Sequence, residues 1–543
     1  MALSVIVILI VTTWGGAVVS GRAAAWEAGM SATAKPAPIP KRRQFTIGSL
    51  ATPVAFRTAP SVSVAFAAVV LAGVLGGCGR HDAAGTWQLP NANLAGTRAA
   101  SATAIDVAAA ASLRVRWRFR LRGQPSFSGI YASTPVADRT TVYVQDLRSN
   151  VYALGRSTGA LRWQKRYDAR NDGPNGLALD GRRVFGATDS EAFALSATTG
   201  RELWRTHLTS ATEQLVDIAP VVWQGTVFLS TVGYPPGGRG AIYALDAATG
   251  ARLWKFVTIE RPWRYPLEAG GGGLWYPVSV DERGRLYAGN SNPAPWGGTP
   301  RRPNGASFPG AVRYADSLLV LDARTGRLLW HDQVTPHDVR DYDFEATPIL
   351  ADVGGRSFVF GAGKAGRVIA WDRTTRRRVW TAAVGLHRND LGPLPSRRAM
   401  VCPGLLGGVE TPMAYADGRL FVPVVDLCGW GRASGRQLLT ELDPAHGRGR
   451  FVALDAKTGR ILWERRLPSP DFGCAAVAND VVFTSTYDGT AVGFDARNGT
   501  VVWRARMRAG VNACPAVVGD LVLYGAGVGR SGGAAELVAF GLP

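Results

Sequence analysis

The chain has 543 residues, 46% hydrophobic and 19% charged, a globular composition long enough for a large core. Lys and Arg outnumber Asp and Glu by 61 to 41, for a net charge of +20. The arginines are scattered and accompany no helix-turn-helix or RNA-binding signature, which excludes a nucleic-acid partner and points to a basic surface suited to anionic lipid or wall polymers.

Two apolar segments come first. Met1 to Ser20 is uncharged and has the ~20-residue length of a membrane span, but no basic stretch precedes it. The second is built like a signal peptide: Lys41 to Arg43 supply the positive charges, and Val62 to Cys78, "VSVAFAAVVLAGVLGGC", is apolar and ends in small residues. Its "LGGC" resembles a bacterial lipobox, in which Cys78 is lipidated. Two readings stay open: a start at Met30 with a cleaved signal, or a membrane helix at the beginning. Both imply an exported protein held at the outer face of a membrane. Residues 1–78 are thus a targeting region, 79–105 a linker and opening segment, and 106–543 the folded body.

Within the body one string recurs. "VYALGRSTGALRW" ends at Trp163 and "AFALSATTGRELW" at Trp204, followed by "IYALDAATGARLW" to Trp254 and "LLVLDARTGRLLW" to Trp330. "VIAWDRTTRRRVW" ends at Trp380, "FVALDAKTGRILW" at Trp463 and "AVGFDARNGTVVW" at Trp503. Each reads as an alternating apolar strand, a D-x-x-T-G-type turn and a second strand carrying the Trp, which is a β-hairpin. An eighth copy is split between "ELVAFGLP" at the C-terminus and "LRVRWRF" around Trp117. Joining the halves closes a ring and leaves no sheet edge between first and last blades. Most Trp intervals match one four-stranded blade, so the fold class is all-β, an eight-bladed propeller. The long intervals 254–330 and 380–463 read as blades with inserted loops. The tryptophans read as wedges between blades, each with one polar end.

Five cysteines are present. None begins a C-x-x-C-H haem motif and none has metal-ligand spacing. Export permits disulfides. With Cys78 lipidated four remain, which allow three connectivities. Cys402 and Cys428 flank one stretch, and Cys474 and Cys514 occupy like positions in consecutive blades, so the expected pairs are Cys402–Cys428 and Cys474–Cys514.

The repeat, with "WQLPNANLAGTRAA" from Trp87, resembles the quinoprotein (PQQ-dependent) alcohol dehydrogenase propellers over about Trp87 to the C-terminus. "GGGGLWYPVSVDERGRLYAGNSNPAPW" is similar to the family's quinone floor and metal segment, which implies that Trp275 stacks on PQQ and Asn292 is a metal ligand. "TPHDVRDYD" resembles the segment bearing the general base, which implies Asp341, also a metal ligand, with Arg340 where the family has Trp. "GAGKAGRVIAWDR" implies Lys364 as the cation at the quinone oxygens. Read without the family, Trp275 is equally a core residue, Asp341 and Asp343 a solvated turn pair, and Lys364 a surface ammonium.

The match breaks at three points. The Glu that the family offers to calcium falls on Pro235, the acidic residue before "STP" falls on Ala132, and the vicinal cysteine pair is absent. Losing two acids argues against a calcium site; Lys364 and Arg340 would take over part of the metal's electrostatic role. The expected function is oxidation of an alcohol, polyol or sugar, with a small-molecule substrate and a separate electron acceptor, since no haem is encoded. The alternatives are a non-catalytic envelope lipoprotein that binds protein partners through its loops, and a small-molecule-binding sensor.

Overall fold

The computed structural model describes residues 85–100, 102–123, 129–209, 214–233, 237–260, 263, 268–299, 301–433, 446–528 and 534–543. Cys78 and Pro235 lie outside these. Antiparallel sheets form eight blades around an axis. Blades 1 to 7 span residues 136–165, 178–207, 214–257, 279–333, 349–383, 414–467 and 476–506. Blade 8 takes Ala516–Val518, Leu521–Ala526 and Glu536–Gly541 from the C-terminal end, and Arg114–Arg120 as its outer strand. The split repeat therefore closes by pairing, with Trp117 opposite Ala539 and Arg120 opposite Glu536. Among the described residues no helix is long and apolar enough to cross a membrane.

The D-x-x-T-G string is explained by its turn. In blade 3 the Asp246 carboxylate accepts from the backbone N–H of Ala248 and Thr249 and from the Thr249 hydroxyl, an Asx turn that fixes the hairpin. Gly250 follows at φ 75°. Its second reason is contact: a Cβ on Gly250 would lie 2.6 Å from the ring of Trp204, and one on Gly159 2.6 Å from Trp117. At six of the eight junctions the Trp lies on the next blade's turn and donates its indole N–H to a carbonyl there, as Trp163 does to Ala197 at 2.9 Å and Trp254 to Ala323 at 3.1 Å. Blade 5 departs from the pattern: Arg376 takes the left-handed position at φ 61° where the others have Gly.

The strand before each turn was expected to alternate. It is instead buried along its length, as in Val151–Gly155 of blade 1, because both of its faces pack on neighbouring blades. Only the outer, Trp-bearing strands alternate. The two long intervals are single blades with insertions. Blade 4 is preceded and interrupted by a short pair, Gly270–Gly271 with Pro293–Ala294, and a 3-10 turn, Gly305–Ser307. Ala399–Val401 pairs with Gly429–Gly431 beside blade 6, and the Cys402–Cys428 disulfide fastens that insertion. Cys474–Cys514 joins the entries of blades 7 and 8.

Residues 85–100, expected as part of a linker, are bound to the ring. They run across one end of the axis and pair with the innermost strands. Trp87 exchanges hydrogen bonds with Ala137 of blade 1, and Gln88 accepts from Leu179 of blade 2. The carbonyls of Leu94, Ala95, Thr97 and Arg98 accept from Val280, Leu350, Tyr415 and Val477 of blades 4, 5, 6 and 7. The buried guanidinium of Arg98 donates to Ala475 O (2.6 Å), Pro515 O (2.6 Å), Pro90 O and Asn91 Oδ1 (both 2.9 Å). It therefore ties this strap to the entries of blades 7 and 8. The strap floors the channel, where an axial cavity of about 20 Å³, room for one water, is bordered by Asn91, Ala132 and Tyr276.

Candidate functional site

The residues singled out by sequence converge on this axis, most of them from blades 4 and 5. The turn Asp338–Tyr342 is held by its own first carboxylate, which accepts from the backbone N–H of Arg340 (2.8 Å) and Tyr342 (2.6 Å). That fold forces Asp341 to φ 67°, a conformation costing ~1 kcal/mol or more in a non-glycine residue. The strained residue is the one that the sequence singled out as a candidate base. Asp341 Oδ1 accepts from Asn292 Nδ2 at 2.8 Å, and Oδ2 lies 2.9 Å from Lys364 Nζ. Lys364, in the turn between strands Arg356–Gly361 and Arg367–Asp372, also meets Asp343 Oδ2 at 2.7 Å. Asp343 Oδ1 accepts from the Asn292 backbone N–H. Asn292, Asp341, Asp343 and Lys364 are all buried, so one ammonium serves two carboxylates out of water.

Two further acids were missed. Glu345 and Glu410 lie close enough to influence each other's titration, and each has a buried oxygen, Oε1, without a partner. Their signal was present: "EATP" and "ETP" place an acid just before the inner strands of blades 5 and 6, the place occupied in blade 1 by Ala132. Asp316 was missed as well. It is fully buried with neither carboxylate oxygen paired, and Asp338, Asp343 and Asp341 lie near enough to raise its pKa further.

Burial dominates the titration of this cluster. It pushes Asp341 up to about 7, against the pull of Lys364 and with a further push from Asp343. It pushes Glu410 up to about 8 and Glu345 well above the carboxylate range, Lys364 again opposing. Burial would lower Lys364, but Asp341, Asp343, Glu345 and Glu410 together hold it well above its usual value. The ammonium is thus permanently charged, and the carboxyls share what protons remain.

A stability test follows. Glu410 ionises near 4.5 when unfolded and near 8 when folded, so the folded state binds the extra proton between these values and stability falls as pH rises through that window. Glu410→Gln is expected to flatten that slope and to melt above wild type at pH 8.5. Parallel thermal melts at pH 5.5 and 8.5 check this; an unchanged slope contradicts it.

Trp275 is half-buried, and its Nε1 is buried without an acceptor. Its neighbour Tyr276 is within electrostatic reach of Glu345, Glu410 and Lys364, which brings this segment to the same axis. Arg340 does not join the cluster. Its Nε and Nη2 donate to Asn389 O and Pro393 O, both at 3.1 Å, so the substitute cation expected there is committed to the blade 5–6 loop. Among the described residues no group of three or more His, Cys, Asp or Glu side chains is arranged to hold a metal ion. Both oxygens of Asp341 are already engaged by N–H donors.

Comparison with known proteins agrees with this fold. Residues 211–383 match the glucose/ethanol/alcohol dehydrogenase β-propeller domain. The chain is similar to the quinoprotein alcohol dehydrogenases, which share its eight-bladed β-propeller fold. It is 28% identical to a quinohemoprotein alcohol dehydrogenase of Comamonas testosteroni, over 76% of this chain and 68% of that one. It is 26% identical to a lanthanide-dependent methanol dehydrogenase of Methylacidiphilum fumariolicum, over 75% and 78%. The fold of the quinohemoprotein alcohol dehydrogenase ADHIIG of Pseudomonas putida superposes with a TM-score of 0.73 at 23% identity, covering 85% of this chain and 81% of that one. Residues 95–176 and 364–540 also match the outer membrane protein assembly factor BamB. The dehydrogenase match spans the stretch that holds Trp275, Asn292, Asp341 and Lys364.

Proposed function

We propose that this chain is a quinone-dependent dehydrogenase that oxidises a small alcohol, polyol or sugar, with Asp341 as base. The observation that carries the reading is the buried contact of Asp341 with Lys364 on a strained turn. A carboxylate near pKa 7 is matched to accept a hydroxyl proton at neutral pH, and the fixed ammonium stabilises negative charge developing beside it. The residues suit a planar, anionic quinone: the half-open indole of Trp275 offers a stacking face and an uncommitted N–H, and Lys364 offers charge. PQQ, when bound, would take up the hydride lost from the alcohol carbon. Asp341 would hold the proton, Asn292 would orient Asp341, and Lys364 would keep it ionised between turnovers. We derive no step through a divalent cation. A separate protein would accept the electrons, and Cys78 would anchor the exported chain to lipid.

A second reading, a non-catalytic envelope scaffold, is favoured by the match to BamB on both sides of the dehydrogenase match. Dye-reduction assays on a panel of alcohols and sugars with added PQQ separate the two. Turnover is expected to rise with pH through about 7. Asp341→Asn should reduce it ~10³-fold, the range for loss of a general base, with PQQ affinity nearly unchanged, whereas Trp275→Ala should weaken affinity first. Wild-type protein that reduces no dye with any substrate overturns the catalytic reading.

A further inference from the structure

The split blade leaves a feature that six of the other blade junctions lack. At Trp117, Trp163, Trp204, Trp254, Trp380 and Trp463 the next blade's hairpin turn lies on the indole, its glycine against the ring. Trp503 faces blade 8, whose outer strand comes from the other end of the chain, so no hairpin turn covers it. Its N–H reaches Leu113 O at 3.4 Å instead. The space left is a groove of about 390 Å³. Trp503, Phe540 and Leu113 give it an apolar floor, and Arg114 and Arg504 stand at its lips.

The charges around the groove are unbalanced. Arg114, Arg116 and Arg504 are exposed. Arg114 donates only to the carbonyls of Ala111 and Leu113, and Arg116 to Leu542 O. The nearby acids are engaged elsewhere: Glu536 with Arg118, Asp488 with Arg506, Asp520 with Arg156 and Asp495 with Arg497. Among the described residues none pairs with Arg114, Arg116 or Arg504. Single apolar residues stand exposed between the arginines on the outer strands: Val501 (36%) on blade 7 and Val115 (43%) on blade 8, with Ile461 (45%) and Leu161 (49%) on the flanking blades.

We infer that this wall of the ring, centred on the groove over Trp503, docks on the anionic phospholipid surface of a bilayer. Guanidinium lips over an aromatic and aliphatic floor match a phosphate headgroup above an apolar chain. Basic residues near an anionic leaflet are drawn to it; exposed apolar residues also stand on the outer strands of blades 2 and 3, at Leu203 and Leu253, so it is the groove with its unpaired arginines that singles out this wall. An acidic peptide is a poorer fit, since four arginines in the seven residues of Arg114–Arg120 disfavour strand addition along this edge.

The test is flotation of the full chain with vesicles of phosphatidylcholine alone or with 30% phosphatidylglycerol, an amount fixed at about that level to give a strongly anionic surface. Wild type is expected to float with the anionic vesicles at least ~10-fold better, and to be released by salt. Arg114→Glu with Arg504→Glu should abolish the preference, and Arg114→Lys with Arg504→Lys should keep most of it. Matching thermal melts show that the variants are folded. Equal flotation with neutral vesicles, or a charge-reversed protein that still prefers anionic ones, overturns the inference. So does capture by poly-glutamate in preference to vesicles, which would assign the groove to an acidic peptide.

Discussion

Deleting Glu536–Pro543 is expected to abolish cooperative folding. This segment contributes the strand between Leu521–Ala526 and Arg114–Arg120, and it pairs with both. Its removal takes away two ladders together. It also exposes the inner edge of Arg114–Arg120 and withdraws Glu536, which is 2% exposed and paired with Arg118 at 2.7 Å. Leu537, Val538, Ala539 and Phe540 are buried, and burying side chains of this size contributes ~1.5–3 kcal/mol each for the larger ones. Even before the two lost ladders are counted, this is comparable with the ~5–15 kcal/mol that holds a typical domain together. Size-exclusion and a urea melt check this: aggregation or a broad, featureless transition is expected, and a truncated protein with the wild-type midpoint contradicts closure at this blade.

The second large effect is expected at Arg98. Its guanidinium is fully buried, and burial lowers it to about 9 with only Tyr276 opposing. Its stability comes from hydrogen bonds to oxygens of the strap and of blades 7 and 8 rather than from a carboxylate. Arg98→Met would leave the oxygens of Ala475, Pro515 and Asn91 without this donor, at ~1–3 kcal/mol for each buried acceptor, while Pro90 O keeps the Trp87 indole N–H; the loss is partly offset because no charge is then buried. A net loss of ~3 kcal/mol or more in urea melts is expected. Arg98→Lys should recover little, because one ammonium cannot span the same fork. A loss under about 0.5 kcal/mol, the size of an ordinary surface substitution, would mean that the strap does not hold the ring.

The ring itself is legible in the sequence because its device is local. Asp246, Thr249, Gly250 and the following Trp254 lie within nine positions of chain and recur nearly unchanged, so turn chemistry and spacing disclose the hairpin, and the hairpin discloses the blade. The split repeat disclosed closure in the same way. The disulfide pairs were also readable, since Cys474 and Cys514 sit at the same position of adjacent blades. The strap was not: its hydrogen bonds are made by backbone carbonyls, and Arg98 reaches residues several hundred positions away. The acidic neighbourhood was legible in part. Asp341 and Lys364 came from motif resemblance, but the approach of Glu345 to Glu410 depends on how two blades face the axis, which no local pattern states. Arg340 was misjudged for the converse reason. Sequence places it beside Asp341, while the turn sends its side chain to Asn389 and Pro393.

The claim on which the rest depends is that the axis holds a quinone against Trp275 and Lys364. The most direct measurement is an absorbance titration of the full-length protein with PQQ, repeated for Trp275→Ala and for Lys364→Met. A saturable shift of the PQQ spectrum at one equivalent is expected for wild type, with affinity lowered ~10-fold or more in each variant, as loss of a stacking face or of a buried charge-assisted contact would give. A wild-type protein that leaves the PQQ spectrum unperturbed, or variants that bind as tightly as wild type, would contradict it.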